Sequence, residues 1–188
     1  MADDEPGLIK RSQRGDANAY EQLVRAYQDV AFWTAFIITR NSADAEDAAQ
    51  NAFLNAWLHL DRFRLDAPFR PWLLRIVANE AKNRRLAASR RANHQLPEDR
   101  SYFVPSPDAG PEQRLIAGET SAWLLAHLER LQDSDRLVIF CRHILMLSEI
   151  ETAAILGCRR GTVKSRLHRA LRNLRDAIAE DSVKETPS

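Results

Sequence analysis

Apolar residues recur at three- and four-residue intervals along most of this chain, which is the period of a helix with one buried face. The clearest stretch lies near the C-terminus, where small and branched apolar side chains share one face: Val163, Leu167, Ala170, Leu171, Leu174 and Ile178. The strict alternation of apolar and polar residues that marks a half-buried strand is nearly absent from the sequence. The pattern predicts an all-α protein.

The segment before this helix carries the signals of a second, shorter helix. Ser148 and Glu151 have the spacing of a capping box, in which each side chain accepts a hydrogen bond from the other residue's backbone N–H. Gly157 suits a helix end that needs a positive φ. We therefore expect a helix over 148–156, a tight turn at Gly157 and a second helix, which is the arrangement of a helix-turn-helix.

A long helix is predicted over 42–60 in the N-terminal half. Asn41 or Ser42 can cap it, and its apolar face consists mainly of alanine. Leu54 and Leu58 stand on the opposite, polar face. Two leucines in this position suggest a surface for a partner, although exposed apolar residues are common in proteins and need no explanation. The residues alone leave both interpretations open.

A proline-rich stretch at 97–111 interrupts the helical pattern. It holds four of the eight prolines of the chain, and proline fixes φ and removes a backbone donor. We therefore expect two small helical domains, at 8–95 and 116–180, joined by a flexible, proline-rich linker at 96–115. The second domain contains the helix-turn-helix.

Positive charge is concentrated in the helix-turn-helix. The formal net charge of the whole chain is only +1, yet residues 158–175 include seven basic residues and no acidic one. These are Arg159, Arg160, Lys164, Arg166, Arg169, Arg172 and Arg175. A helix with this face can approach a phosphate-lined groove, although a basic helix face is often only a solvated surface.

A second basic zone covers residues 70–100, with eight basic and three acidic residues. Aromatic and amide side chains lie in or beside it: Phe63, Phe69, Trp72, Asn79 and Asn83. Bases taken out of a nucleic-acid stack are held by such mixtures of aromatic, amide and cationic groups. The alternative is that the aromatic residues belong to a core, and this interpretation is preferred for Phe69 and Trp72.

Catalysis and metal binding have little support in the sequence. The tight acidic cluster Asp44, Glu46 and Asp47 falls in the first turns of a predicted helix, where the helix dipole favours negative charge. Cys141 and His143 lie on adjacent helix faces and do not close a zinc site. We therefore expect no enzymatic activity, no metal and no cofactor.

The N-terminal residues are acidic and lack the apolar core of a signal peptide. The most apolar run, at 30–38, is far shorter than the roughly 20 residues that cross a bilayer. The two cysteines cannot form a disulfide framework and suit a reducing compartment. We expect a cytoplasmic protein with no membrane insertion.

Four stretches of the chain resemble bacterial ECF-type (extracytoplasmic-function, group 4) RNA polymerase sigma factors. They are FWTAFIITRNSADAEDAAQNAFLNAWLHLDRF, FRPWLLRIVANEAKNRRL, the proline-bearing linker and the C-terminal LS-x-x-x-x-A-x-x-L-G-C-x-x-G-T-V-K-S-R-L-x-R-A. The resemblance covers roughly residues 8–178. Three residues depart from the pattern of the family: Met146 stands where a glycine is frequent, Thr152 replaces the usual isoleucine, and Arg159 replaces a small or polar residue.

The resemblance implies a transcription initiation factor with no catalytic chemistry of its own. It implies sigma region 2 at 8–95, which binds core RNA polymerase and helps to melt the −10 element, and sigma region 4 at 116–180, which reads the −35 element. The implied partners are the β′ clamp helices and the β flap of the polymerase, promoter DNA and an anti-sigma factor, with the free chain a monomer. The implied contacts with the polymerase core are Asp47, Gln50, Asn51 and Leu54.

The resemblance also implies two sets of DNA contacts. Those at the −10 element are Leu65, Asp66, Phe69, Asn79, Lys82, Asn83, Arg84 and Arg85. Those at the −35 element are Arg159, Arg160, Thr162, Lys164, Ser165, Arg166, His168 and Arg169. The alternative function is a stand-alone helix-turn-helix regulator, which would need a dimerisation surface or an effector pocket, and the sequence indicates neither.

Overall fold

The computed structural model describes residues 4–92, 127–128 and 130–184. The chain divides into two compact units, Met1–Tyr102 and Phe103–Ser188. Every regular element in the described ranges is helical, so the prediction of an all-α protein with two helical regions is confirmed. The predicted linker at 96–115 lies outside the described residues.

The N-terminal unit contains four α-helices and one short 3-10 turn. They are α1 (Glu5–Gln13), α2 (Ala17–Thr39), α3 (Ser42–Leu58), the turn Leu60–Arg62, and α4 (Phe69–Ala92). Helices α2, α3 and α4 pack on one another, and α1 packs against α2. In this described part of the chain, as in the other, no helix has an apolar stretch long enough to cross a bilayer.

Side-chain caps fix the starts of two of these helices. The Asp16 side chain accepts a hydrogen bond from the backbone N–H of Ala19 and begins α2. The Asn41 side chain accepts one from the N–H of Asp44 and begins α3. Asn41, the first of the two predicted candidates, is therefore the cap of α3.

Helix α3 buries only alanines, which lets its neighbours approach closely. The buried residues are Ala45, Ala48, Ala49, Ala52 and Ala56. Leu54 and Leu58, on the other side, are 63% and 69% exposed. The two faces predicted for this helix are therefore those that the structure shows.

An aromatic cluster supports the loop before α4. The Phe69 ring lies 5.4 Å from the rings of both Tyr27 and Phe63 and 5.5 Å from that of Trp72, measured between centroids. Gln13 Nε2 donates 2.9 Å hydrogen bonds to the carbonyl oxygens of Leu60 and Phe63. Both ends of this loop are therefore anchored in the core of the unit.

The C-terminal unit contains the helix-turn-helix. Its described elements are α5 (Asp133–Ile139), a π-helical turn (Phe140–Ile144), α6 (Glu149–Leu156) and α7 (Arg160–Lys184). Ser148 and Glu151 form both hydrogen bonds of the predicted capping box, and Gly157 ends α6 with φ +66°. Val163 and Ala170 are fully buried on the inner side of α7, as the periodicity predicts.

Candidate nucleic-acid and polymerase interfaces

The outer surface of α7 is polar and cationic. Of the residues predicted to contact the −35 element, Thr162 and Arg166 are half-buried. The others are exposed: Arg159, Arg160, Lys164, Ser165, His168 and Arg169. Because the apolar residues of the helix face inward, this surface is available to a ligand from solvent.

Arg169 on this surface is bound to a buried carboxylate. Its Nη2 donates to Asp135 Oδ1 at 2.8 Å, and the Asp135 side chain is 2% exposed while that of Arg169 is 49% exposed. Asn173 Nδ2 donates to the other carboxylate oxygen at 3.2 Å. The hydrogen bond to Asp135 raises the pKa of the Arg169 guanidinium, so this group stays charged.

Sequence reasoning missed Asp135. It lies in the first turn of α5, where an acidic residue is readily explained by the helix dipole. The available signal was the apolar run that follows it, because a carboxylate beside such a run is expected to need a buried cation or several donors.

Arg160 joins the two helices of the helix-turn-helix. Its Nε donates to Glu149 Oε2 at 3.1 Å, which connects the first residue of α7 to the first residue of α6. The Arg160 side chain is 68% exposed, so this pair is expected to contribute little to stability. The Arg160 guanidinium can therefore leave Glu149 and pair with a phosphate with little loss of folding free energy.

The loop at 64–68, between Phe63 and Phe69 of the aromatic cluster, is exposed along its whole length. Arg64 forms two hydrogen bonds with Asp66, from Nε to Oδ1 at 3.1 Å and from Nη2 to Oδ2 at 2.7 Å. The hydrogen bond from Arg64 lowers the pKa of the exposed Asp66 carboxyl. Leu65, next to both, is 41% exposed, so its side chain is accessible at the loop surface.

Phe69 departs from its predicted role. It is 2% exposed and is enclosed by the rings of Tyr27, Phe63 and Trp72. In this conformation it offers no surface to a base. Its position supports the loop from below, in agreement with the alternative interpretation of the aromatic residues as core.

The surface of α4 combines amides with cations. Asn79 and Asn83 are exposed one helical turn apart, and Lys82, Arg84 and Arg85 are half-buried. Burial lowers the pKa of the Arg85 guanidinium, and the nearby charge of Arg40 lowers it further. Helical spacing places Asn79, Lys82 and Asn83 on one side of α4, whereas Arg84 is turned toward α3 and pairs with Asp47.

The polar face of α3 meets α4 through an arginine that lies between two carboxylates and through an amide hydrogen bond. Arg84 Nη1 lies 2.6 Å from Asp47 Oδ2 and 3.7 Å from Asp44 Oδ1. Asn55 Nδ2 donates to Glu80 Oε1 at 2.8 Å. Among the residues predicted to bind the polymerase core, Asp47, Gln50 and Leu54 are exposed and Asn51 is half-buried.

A two-unit helical protein with a cationic helix-turn-helix and a second basic helix belongs to a recognisable class of transcription proteins. The Sigma-70 region 2 family matches residues 23–91, and the Sigma-70 region 4 family matches residues 121–174. The first covers most of the N-terminal unit, and the second covers the helix-turn-helix. These matches define the class of the protein as a sigma-70-type factor.

Curated relatives narrow the class. The chain is 32% identical over 169 residues to the RNA polymerase sigma-H factor of Pseudomonas aeruginosa, with 87% of this chain and 88% of that protein covered. It is 34% identical over 171 residues to the ECF RNA polymerase sigma-E factor of Escherichia coli K12, with the same two coverages. The chain therefore belongs to the ECF family of RNA polymerase sigma factors, which direct promoter-specific transcription and are not enzymes.

Solved structures agree with the fold. CnrH in complex with the cytosolic domain of CnrY matches with a TM-score of 0.68 and 26% identity, over 95% of this chain and 99% of CnrH. The sigma factor RpoE of Bartonella quintana, solved with the anti-sigma factor NepR, matches with a TM-score of 0.70 and 22% identity, over 85% of this chain and 96% of that chain. The second match supports the fold alone.

Proposed function

We propose that the N-terminal unit binds core RNA polymerase and the −10 element, while the helix-turn-helix reads the −35 element in the major groove. The observation that carries this proposal is the two-sided character of α7. Its cationic and small polar residues face solvent, and its apolar residues form the core of the C-terminal unit. A helix with one such side can enter a groove without unfolding its own domain.

The polymerase surface is proposed on the outer face of α3. Leu54 is exposed without structural need, because α3 packs on its neighbours through alanines. Asp47 lies two turns before Leu54 and Gln50 one turn before it, and both are also exposed. An apolar side chain with a polar rim is typical of a protein interface. The proposed partner of this face is the pair of β′ clamp helices.

The −10 element is proposed to bind the 64–68 loop and the outer side of α4. The loop is bounded by Phe63 and Phe69 of the aromatic cluster, and Leu65 and Asp66 are exposed on it. Asn79 and Asn83 supply amide donors and acceptors that can reach the edge of a base that has left the stack. Lys82, Arg84 and Arg85 would lie along the phosphate backbone of the opened strand.

Control by an anti-sigma factor is proposed as well. CnrH, which resembles this chain over nearly its full length, is bound by the cytosolic domain of CnrY. A partner of that kind would cover the exposed leucines of α3 and compete with the polymerase. We further propose that the chain acts in the cytoplasm, is monomeric when free, and contacts the β flap through its C-terminal unit.

A binding experiment tests the proposal against the stand-alone regulator. Promoter fragments are selected with reconstituted holoenzyme, and binding is then compared for the chain alone, core polymerase alone and the two together. We expect promoter-specific binding only with both components. Binding by the chain alone in the nanomolar range that is typical of specific regulators would favour the regulator and contradict the proposal.

A further inference from the structure

Arg169 on the outer surface of α7 is held by a buried carboxylate from another helix. The Asp135 side chain on α5 is 2% exposed, and that of Arg169 is 49% exposed. Asn173, one turn further along α7, donates to the second oxygen of the same carboxylate at 3.2 Å. The carboxylate is thus fixed from two points of α7, and one part of the guanidinium is fixed while the rest faces solvent.

This arrangement changes what Arg169 can offer to DNA. A free surface arginine contributes its charge to phosphate attraction and loses rotamer freedom when it binds. The negative charge of Asp135 offsets the charge of Arg169, so the pair attracts phosphates only weakly. What the pair retains is a set of oriented N–H donors whose rotamer is already selected. Oriented donors on a planar fork match the O6 and N7 acceptors of guanine in the major groove.

We propose that Asp135 is a positioning residue that holds Arg169 to read a guanine in the −35 element. The inference rests on the proposed function of α7 and adds a residue outside the DNA-facing helix. Asp135 touches no DNA and acts through Arg169. Lys164 and Arg172, on the outer surface of the same helix, are exposed and have no ion pair among the described residues, so they suit phosphate contacts.

Promoter selection with holoenzyme tests the proposal directly. The full chain is combined with core polymerase, and promoters are selected from a library randomised at the −35 element. Four chains are compared: the wild type, Asp135→Asn, Arg169→Ala and the double variant. We expect the wild type to select a guanine at one position, and both single variants to lose that preference about tenfold at the same position only. The double variant should lose no more than either single variant, because residues that act as one unit are not additive.

Three results of this selection would overturn the proposal. The first is that Asp135→Asn retains the guanine. The second is an equal loss of preference at every −35 position, which is what a purely structural role of Asp135 predicts. The third is a double variant that loses as much as the two single variants added together.

Salt dependence supplies a second readout with a matched control. On a scrambled −35 sequence, Asp135→Asn should steepen the log–log salt slope by up to about 0.9, because Arg169 recovers its full charge toward phosphates. Arg172→Ala, on the same helix, should flatten the salt slope and leave the preference for guanine unchanged. A flatter salt slope for Asp135→Asn would contradict the proposal. So would the loss of the preference for guanine in promoters selected with Arg172→Ala.

Folding is checked by thermal unfolding of each chain. If Asp135→Asn does not fold, Arg169→Lys replaces it, because lysine keeps a cation opposite Asp135 but lacks the planar fork. Promoters selected with Arg169→Lys should show no preference for guanine at that position. A preference that persists would overturn the inference. A wild-type pool without any −35 preference would overturn the proposed function together with the inference. A preference that survives Asp135→Asn overturns the inference alone.

Discussion

Arg84 Nη1 lies 2.6 Å from Asp47 Oδ2, so one ion pair connects the face of α3 proposed to bind the polymerase with the side of α4 proposed to bind DNA. The Asp47 side chain is 52% exposed and that of Arg84 is 30% exposed. Solvent weakens such a pair, which is worth up to about 1 kcal/mol. A partner that binds Asp47 therefore separates Arg84 from its nearer carboxylate with little loss of free energy, while Asp44 Oδ1 remains 3.7 Å from Arg84 Nη1.

The first prediction concerns this connection. Asp47→Asn should weaken binding to core polymerase and strengthen the binding of the free chain to single-stranded DNA severalfold, because Arg84 then keeps only the more distant Asp44 carboxylate, at 3.7 Å, and can turn toward phosphate. Binding of fluorescent DNA to the free chain measures the second effect. Glu46→Gln is the control, since it removes an equal charge from an exposed neighbouring position. Equal gains in DNA affinity for the two variants would show that only net charge matters.

The second prediction tests the proposed polymerase face. Leu54 is 63% exposed on α3, so Leu54→Asp should lower the stability of the chain by less than about 1 kcal/mol. Affinity for core polymerase should fall by roughly 2 kcal/mol, the value expected for a lost apolar anchor. Leu86→Asp on α4, at a leucine that is 58% exposed, is the control and should bind core polymerase normally. Unchanged core binding by Leu54→Asp would exclude this face.

The third prediction concerns phosphate contacts of α7. Arg166→Gln should reduce the salt slope of holoenzyme–promoter binding by about 0.9, the effect of one lost phosphate contact. Core binding should not change. Arg175→Gln, at an exposed residue further along the helix, should leave the slope unaltered. A slope that responds equally to both substitutions would indicate a general field effect instead of a contact.

Charge reversal is expected to have different effects at Arg166 and at Arg169. On the sequence alone, reversal at either residue is expected to weaken −35 recognition and to spare core binding. The structure places the Arg169 guanidinium 2.8 Å from a buried carboxylate. Arg169→Glu would therefore set two carboxylates against each other, which destabilises the C-terminal unit before any DNA is bound. Arg166 is the suitable position for this test.

The features that were predicted correctly are those set by residues close together in the sequence. The Ser148 and Glu151 capping box, the positive φ of Gly157 and the inward face of α7 each depend on residues within a few positions of one another. Asp135 and Arg169 are 34 residues apart, and their pairing depends on how α5 packs against α7. The composition of the segment favoured a core position for Phe69 while the resemblance implied a DNA contact, and its burial likewise depends on a residue from a different helix, Tyr27.

The fourth prediction follows from Thr152, where the family usually has isoleucine. Thr152 is 0% exposed, and within the described parts of the chain its Oγ1 has no hydrogen-bond partner. Thr152→Val keeps the shape and removes the buried hydroxyl, so it should stabilise the C-terminal unit by about 1 kcal/mol. Thr152→Ser, which keeps the hydroxyl and loses a methyl group, should be less stable than the wild type. Urea unfolding distinguishes the two, and a destabilised valine variant would show that the hydroxyl is satisfied in solution.

The fifth prediction concerns Met146, which stands where the family often has glycine. Its backbone has φ +53°, a left-handed conformation that is unfavourable for side chains with a Cβ by about 1–2 kcal/mol. The Met146 side chain does not compensate, since the residue is 80% exposed. The following residue, Leu147, donates its N–H to the Cys141 carbonyl at 2.9 Å, so the turn is needed to close the preceding helical segment.

Glycine at position 146 should therefore relieve the strain and keep the turn. Part of the gain is offset because glycine is more flexible in the unfolded chain, which leaves a net stabilisation of about 0.5–1 kcal/mol for Met146→Gly. Met146→Ala is the matched control, because alanine removes the exposed side chain but retains the Cβ. If the backbone conformation is the cause, only the glycine variant raises the unfolding midpoint of the C-terminal unit. Equal stabilisation by alanine would instead assign the effect to the exposed methionine side chain.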